Sequence, residues 1–502
     1  MTKQPFSFPF RHHALALAMA MAAGYSHAAT LNVSDSCTLV NAINNANTDT
    51  DTDGAGGCPS GSGADQLNLS AKATYTLTAI NNINAGPNGL PLITSVITIN
   101  GNGASIKRAN AADTESFRLL RIVNGALTLN NVRLSGGKLT GDTDYGGGIS
   151  NNGTLTLNNS TISGNSALGI NSAGSGILNG YAGVLSLNNS TVSGNSATHG
   201  GAIFDVGGTA ELNNSTISGN RAIGDTGGTG GIINLGNMQL INSTVSGNSS
   251  ISASSYGTGG IQNSGTMSLL HSTVANNLIA HGNVTGINNS RTLTLTNSLI
   301  ANSKGGSDCY SGNFEHSAMI TLRGTNLIED GTCGTPPSAD PKLAPLLDNG
   351  GVTLTHALRL GSPAADIVDT RCSSTDQRNV KRPQPAGSLC DAGSFERIKT
   401  KPASTKIILN FFDAQLSGGG LLGTGSEKFA YHSPNALRNQ LLTAGDYRDR
   451  NLTIRACEQL ARTLLRIDTD NTPDNNDYVT GSQANMLAAN INALRSNWTC
   501  TN

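Results

Sequence analysis

Among the side chains between residues 348 and 396, eight stand out as candidates for acid–base chemistry: Asp348, His356, Asp366, Asp376, Arg378, Arg382, Asp391 and Glu396. A glycoside hydrolase needs two carboxylates facing one bond. A lyase acting on an acidic polysaccharide needs carboxylates to hold Ca²⁺ and a base to take a proton. A histidine, several carboxylates and two arginines in one segment supply those parts. The same residues also suit a cap, because Asp–Arg pairs and an Asp-Asn-Gly-Gly turn satisfy backbone groups without any reaction. The cap is the favoured reading.

Elsewhere chemistry is sparse. Between Gly146 and Ile300 the formal charges are Asp205, Glu211, Arg221, Asp225 and Arg291. Asp205 stands in register with asparagines, Glu211 takes an outward slot, and the others sit in loops or turns. Asp205→Asn is therefore expected to be nearly silent. Two acidic runs, Asp49/Asp51/Asp53-Gly54 and Asp468/Asp470/Asp474/Asp477, resemble parts of a calcium loop but lack its closing glutamate. Both read as solvated loops. No catalytic residue, metal ligand or cofactor is assigned.

These residues must be positioned by an array of short strands. Leu155-Thr-Leu-Asn-Asn-Ser-Thr-Ile-Ser-Gly-Asn165 returns at Leu185–Asn195, Ala210–Asn220, Met238–Asn248, Met267–Asn276 and Leu293–Asn302, with an earlier copy at Leu127–Gly137. The period is roughly 25 to 30 residues. Within each copy, apolar residues alternate with Thr and Ser, the period of a half-buried strand. Such strands cannot bury their apolar face alone, and stacking coil on coil at strand spacing solves this. The expected fold is all-β: a right-handed parallel β-helix with an N-terminal cap and a small C-terminal α-helical domain. Two asparagine columns should run along it. One comprises Asn165, Asn195, Asn220, Asn248, Asn276 and Asn302; the other comprises Asn151, Asn179, Asn234, Asn263 and Asn289, with Asp205 among them. Asn-Ser-Thr triplets recur at one place in the repeat and read as structure rather than as glycosylation sites.

Composition narrows the function. Net charge is −1 and charged residues make up 13%, so no basic field exists to bind nucleic acid. Lys3, Arg11, His12 and His13, then apolar Ala14–Gly24, then Ser26-His27-Ala28, have the layout of a secretory signal peptide. No other stretch is apolar enough to cross a membrane, so no transmembrane segment is expected after export. Eight cysteines fall as neighbours, Cys37/Cys58, Cys309/Cys333, Cys372/Cys390 and Cys457/Cys500. Sequence alone leaves their connectivity open, and sequential pairing in an oxidising compartment is the expectation. The chain divides into 1–28 (signal peptide), 29–110 (N-terminal cap), 111–302 (repeats), 303–397 (C-terminal end of the solenoid), 398–405 (linker) and 406–502 (three or four helices).

Asp348-Asn-Gly-Gly351, Thr355-His-Ala357, Gly361-Ser-Pro-Ala364, Asp376-Gln-Arg378, Arg382-Pro383 and Cys390-Asp-Ala-Gly-Ser-Phe-Glu396 resemble the signature of the choice-of-anchor Q domain. Those are secreted bacterial proteins with pectate-lyase-like parallel β-helix repeats. Cys37-Thr-Leu-Val-Asn-Ala42, Asn45-Ala-Asn47, Gly63-Ala-Asp65 and Tyr75-Thr-Leu77 are similar to the CSLREA domain that often precedes it, with Val40 and Asn41 where that family has Arg and Glu. The resemblance spans roughly residues 31–397 and implies an exported β-helix at or beyond the cell surface.

Two functions follow from this reading. The favoured one is a non-catalytic extracellular scaffold or adhesin-like protein, with extracellular polysaccharide or cell-surface components as partners. The alternative is a polysaccharide-active enzyme, a lyase or glycoside hydrolase, with its site in the charged segment. The Ser-, Gly- and Thr-rich stretches Lys138–Tyr145, Ser166–Ser175, Arg221–Thr229, Ser249–Thr258 and Asn277–Thr285 share one phase and should line one edge.

Overall fold

The computed structural model describes residues 28–500 apart from 53, 55, 225–226, 252–256, 313–317, 337–338, 360, 385, 399–403, 425–426, 451, 471, 473 and 475–476. The expected signal peptide, except Ala28, lies outside the described residues, as do Asp53 and Asp225.

Interior columns build the coils. Leu157, Leu187, Leu212, Leu240, Leu269 and Leu295 pair in register from strand to strand, all parallel. Ile162, Val192, Ile217, Val245, Val274 and Ile300 form a second column. Ile149, Ile177, Ile203, Ile232, Ile261 and Ile287 form a third. All are buried in one continuous core. The strands gather into parallel sheets of seventeen, ten and six members, called A, B and C below, giving a parallel β-helix of about nine turns.

Each coil turns where the repeat places Asn-Ser. Asn159, Asn189, Asn214, Asn242 and Asn297 adopt left-handed backbone, with His271 in the same slot. Asparagine tolerates that conformation better than other residues bearing a Cβ. The following serines form a buried ladder: the N–H groups of Ser160, Ser190, Ser215, Ser243 and Ser272 each donate to the next serine Oγ at 3.1–3.2 Å. This is the structural role read for the triplets.

The first asparagine column needs one correction. Asn165, Asn195, Asn220 and Asn248 are linked Nδ2 to Oδ1 at 2.8–3.0 Å, and Asn248 continues to Asn277, not to Asn276. Asn276 and Asn302 take the positive-φ slot that Gly164, Gly194, Gly219 and Gly247 fill in other coils. The expected register was one residue short there, because Asn276-Asn277 and Asn302-Ser303 replace Gly-Asn and put an asparagine in the glycine slot. Asn220→Ala removes acceptors from Asn195 and a donor from Asn248 in a site closed to water. It should destabilise by about 1–3 kcal/mol in urea unfolding.

The helix Leu39–Thr48 (α1), capped by the Thr38 side chain and tied through Cys37–Cys58, buries Leu39, Ala42, Ile43 and Ala46 against the first coils. At the other end the segment 303–397 divides, rather than simply ending the stack. Ser307–Ser311, Met319–Arg323 and Leu327–Ile328 complete a last coil, to which the Cys309–Cys333 bridge belongs. Residues 341–397 then fold back along the outer face of sheet B as a strap.

Four helices follow: Thr405–Ser417 (α2), Glu427–Asp449 (α3), Thr453–Leu464 (α4) and Ala484–Asn497 (α5). They share a separate buried cluster that includes Phe412, Leu441, Leu460, Leu487 and Trp498, and Cys457–Cys500 closes it. The first helix begins at Thr405, within the expected linker.

Candidate functional site

The strap carries the eight candidate residues, and its path follows from what sheet B exposes. Where the strap lies, outward slots hold Leu299, Ala301 and Leu327, which bury against Ala344, Ala357, Leu358 and Phe395. Beside them the contacts are polar. Thr353 Oγ1 donates to Asn214 O at 2.8 Å, Thr216 Oγ1 to Leu354 O at 2.7 Å, and Asn242 Nδ2 to Thr375 O at 2.9 Å. Gln377 is the hub, donating to Thr216 Oγ1 and Thr353 Oγ1 at 2.8 and 2.9 Å while accepting from Thr244 Oγ1 at 2.6 Å. Sequence reading passed over Gln377, although it sits inside the Asp-Gln-Arg motif.

The carboxylates of this segment are committed to holding it together. Asp376 accepts from Arg378 Nη2 at 2.6 Å and from the N–H groups of Arg378, Val380 and Glu396. The Arg378 guanidinium lies 3.6 Å from the Phe395 ring centroid. Glu396 accepts from Arg382 Nη1 at 2.9 Å and from the N–H groups of Gln384 and Asp391. Arg382 also donates to Asp391 O and Gly393 O. Asp391 accepts from the N–H groups of Asp366 and Arg397, and Arg397 pairs with Asp366 at 3.0 Å. Asp348 lies exposed at the hairpin turn and accepts from Gly350 N–H. Burial pushes Glu396 and Asp391 above the usual carboxylate range and Arg382 below the usual guanidinium range. Both partners of the Arg382–Glu396 pair thus shift toward neutrality, so desolvation outweighs their attraction.

His356 stands apart from these carboxylates. It lies on an antiparallel hairpin, Leu343–Leu347 with Thr355–Leu358. Nδ1 lies 2.7 Å from Ala344 O, which can only accept, so Nδ1 bears the proton. Nε2 therefore accepts from Ser246 Oγ, at 2.7 Å. A nucleophile–base pair would show the same distances, and a groove of about 530 Å³, lined in part by Ser218, Asn276 and Arg359, touches both residues. Three features make the pair a staple. Ser246 and His356 are each 2% exposed. The third member is a carbonyl, which fixes the tautomer but gives an imidazolium no counter-charge. Burial also holds His356 below its ordinary range. His271, under the strap, is pushed down to about 3 by burial and then by the charge of Arg382.

Among the described residues the central coils bring no second carboxylate to Asp205, which is wholly buried in the second asparagine column. Glu211 faces outward and accepts from Asn213 Nδ2. Among the described residues no three His, Cys, Asp or Glu side chains converge as a metal-ligand set. Asp49 accepts from Gly63 N–H, and Asp470 from Thr472 N–H and Oγ1. A third asparagine column, missed in the sequence, runs on the outer surface through Asn32, Asn68, Asn100, Asn130, Asn158, Asn188 and Asn213. Its signal in the repeats was the first Asn of Asn158-Asn-Ser, Asn188-Asn-Ser and Asn213-Asn-Ser. Here donors point back toward earlier coils, the reverse of the buried ladders.

Neither a family model nor a curated protein matches the chain. Among solved structures the chain is similar to the crystal structure of pectate lyase Pel9A, at 13% identity over 66% of this chain and 88% of that one, with a TM-score of 0.39.

Proposed function

We propose that this protein is a non-catalytic extracellular scaffold or adhesin-like surface protein, of the choice-of-anchor Q kind with a CSLREA-like N-terminal segment. The observation that carries the reading is the state of the charged segment. Asp376, Asp391 and Glu396 are buried and bonded to arginines or backbone N–H groups, so the residues best suited to acid–base chemistry act as fasteners for the strap. Export through the N-terminal leader fits four disulfides, Cys37–Cys58, Cys309–Cys333, Cys372–Cys390 and Cys457–Cys500.

Binding belongs to the loop edge. The described parts of the variable stretches leave sheet C, and Ala173, Gly200, Thr229 and Thr258 are bridged in sequence. Small polar side chains there suit a broad, weak contact with extracellular polysaccharide or cell-surface components.

A screen of the purified protein on pectin, alginate and similar polyanions, with and without Ca²⁺, tests the reading. The expected result is no release of reducing or unsaturated ends under any condition. Cleavage that disappears in both His356→Ala and Asp376→Asn, with the coils still folded, would establish the polysaccharide-active enzyme instead.

A further inference from the structure

Asp205 is the one acidic member of a buried column whose other rungs are Asn151, Asn179, Asn234, Asn263 and Asn289. Those rungs share a pattern. Each Nδ2 donates to the Oδ1 of the next coil: Asn151 to Asn179 at 2.8 Å, Asn179 to Asp205 at 2.9 Å, Asn234 to Asn263 and Asn263 to Asn289 at 2.7 Å. The same Nδ2 also donates to the carbonyl that opens the next strand, at Val184, Thr209, Thr266 and Thr292. The Oδ1 atoms of Asn151, Asn234, Asn263 and Asn289 additionally accept a backbone N–H from their own turns, as Asp205 Oδ1 does from Gly208 at 3.0 Å.

Asp205 Oδ1 obeys the rule, which puts Oδ2 where an amide would donate. The strand register pairs Asp205 with Asn234 and Thr209 with Asn237, so an amide in that place would donate, by the pattern of the other rungs, to Asn234 Oδ1 and the Asn237 carbonyl, both acceptors. Oδ2 is buried and has no hydrogen-bond partner. An ionised carboxylate would hold an oxyanion against acceptor oxygens in a site closed to water, an arrangement that costs more than either form left in solvent. A metal ion would relieve it, but among the described residues no set of three His, Cys, Asp or Glu side chains converges to hold one. A proton fits.

We propose that Asp205 is a neutral carboxylic acid in the folded protein and donates from Oδ2 to Asn234, so that the closure of two adjoining coils depends on pH.

Among the described residues, the groups that face Asp205 do not titrate. Asn179 faces it from the preceding coil, Asn234 and Gly236 from the following one, and Gly207 and Gly208 from its own turn, with no charged group among the influences on it. Burial raises its pKa above the ordinary 3.8, against the smaller opposing effect of the bonds from Asn179, Gly208 and Gly207. A raised folded-state pKa gives stabilisation that is complete below the unfolded value and is lost as pH climbs through the folded one. Between the two values one proton separates the states, so the folding equilibrium should weaken about tenfold per pH unit. Asp205→Asn supplies the donor permanently and removes the dependence. It should then be no longer silent, as the sequence led us to expect, but stabilising above the folded-state pKa.

The experiment compares urea unfolding of the full chain and of Asp205→Asn from about pH 4 to about pH 9, together with their infrared difference spectra. Asp65→Asn serves as a control, since Asp65 is a second buried aspartate with an unpaired Oδ2 and a raised pKa, far away in the first coils. The ratio of the two unfolding constants is expected to grow with pH and then level off, in the Asp65→Asn background as well. The carbonyl band of a protonated carboxyl should be present before that plateau and vanish in Asp205→Asn. A ratio flat across the range, or a spectrum in which Asp205→Asn removes an ionised-carboxylate band throughout, overturns the proposal.

Discussion

Leu187→Asp is expected to abolish the folded solenoid. Leu187 is 0% exposed and stands between Leu157 and Leu212 in the column that fills sheet A's inner face. The substitution places an unpaired carboxylate among aliphatic side chains of three coils, where no donor is available. The loss should exceed about 4 kcal/mol, at the extreme of what single substitutions do. Because each coil rests on its neighbours, a break in the middle cannot be confined to one turn. Far-ultraviolet circular dichroism should show the β signal lost while the helical contribution from residues 405–497 persists. Ser186→Asp, one residue earlier and facing outward, is the control and should fold normally. A Leu187→Asp protein with native β signal and native unfolding midpoint would mean that the alternation has been read on the wrong face.

Arg382→Ala should release the strap and leave the coils intact. Its guanidinium is buried with Glu396 and donates to the carbonyls of Asp391 and Gly393. Removing it strands a buried carboxylate and two carbonyls, a loss of about 3–5 kcal/mol. That loss falls on the strap, whose hold on sheet B is a row of hydrogen bonds and a modest apolar patch. Limited proteolysis is expected to cut between residues 341 and 397 in the variant and not in the parent, with the coil spectrum unchanged. Since burial drives both partners toward neutrality, replacing Arg382 and Glu396 together with apolar residues should recover much of the loss. Equal resistance of Arg382→Ala and the parent to protease would show that the pair is dispensable.

The difference between these two outcomes reflects how the parts are built. Coil residues act through repetition, so their roles are fixed by spacing. Strap residues act through contacts with coils more than a hundred positions away, such as Gln377 with Thr216 and Thr244. The staple Ser246–His356 is of the same kind. A list of acid–base residues in the strap therefore says little until the partners are known.

Period-two alternation and the recurring Asn-Ser and Gly-Asn turns determined, by themselves, the β-helix, its inner columns and most of its asparagine ladders. They suffice because a strand has only two faces and a stack of similar coils repeats every contact. The local register slipped where Asn276-Asn277 and Asn302-Ser303 replaced Gly-Asn, since an asparagine in the glycine slot satisfies the pattern until backbone conformation tells the two places apart. The tertiary structure alone decided that residues 341–397 lie along sheet B rather than over the end, that His356 meets Ser246 rather than a carboxylate, and that Asp205 Oδ2 has no donor. Each of these depends on long-range packing or on the direction of one hydrogen bond, and spacing along a chain encodes neither.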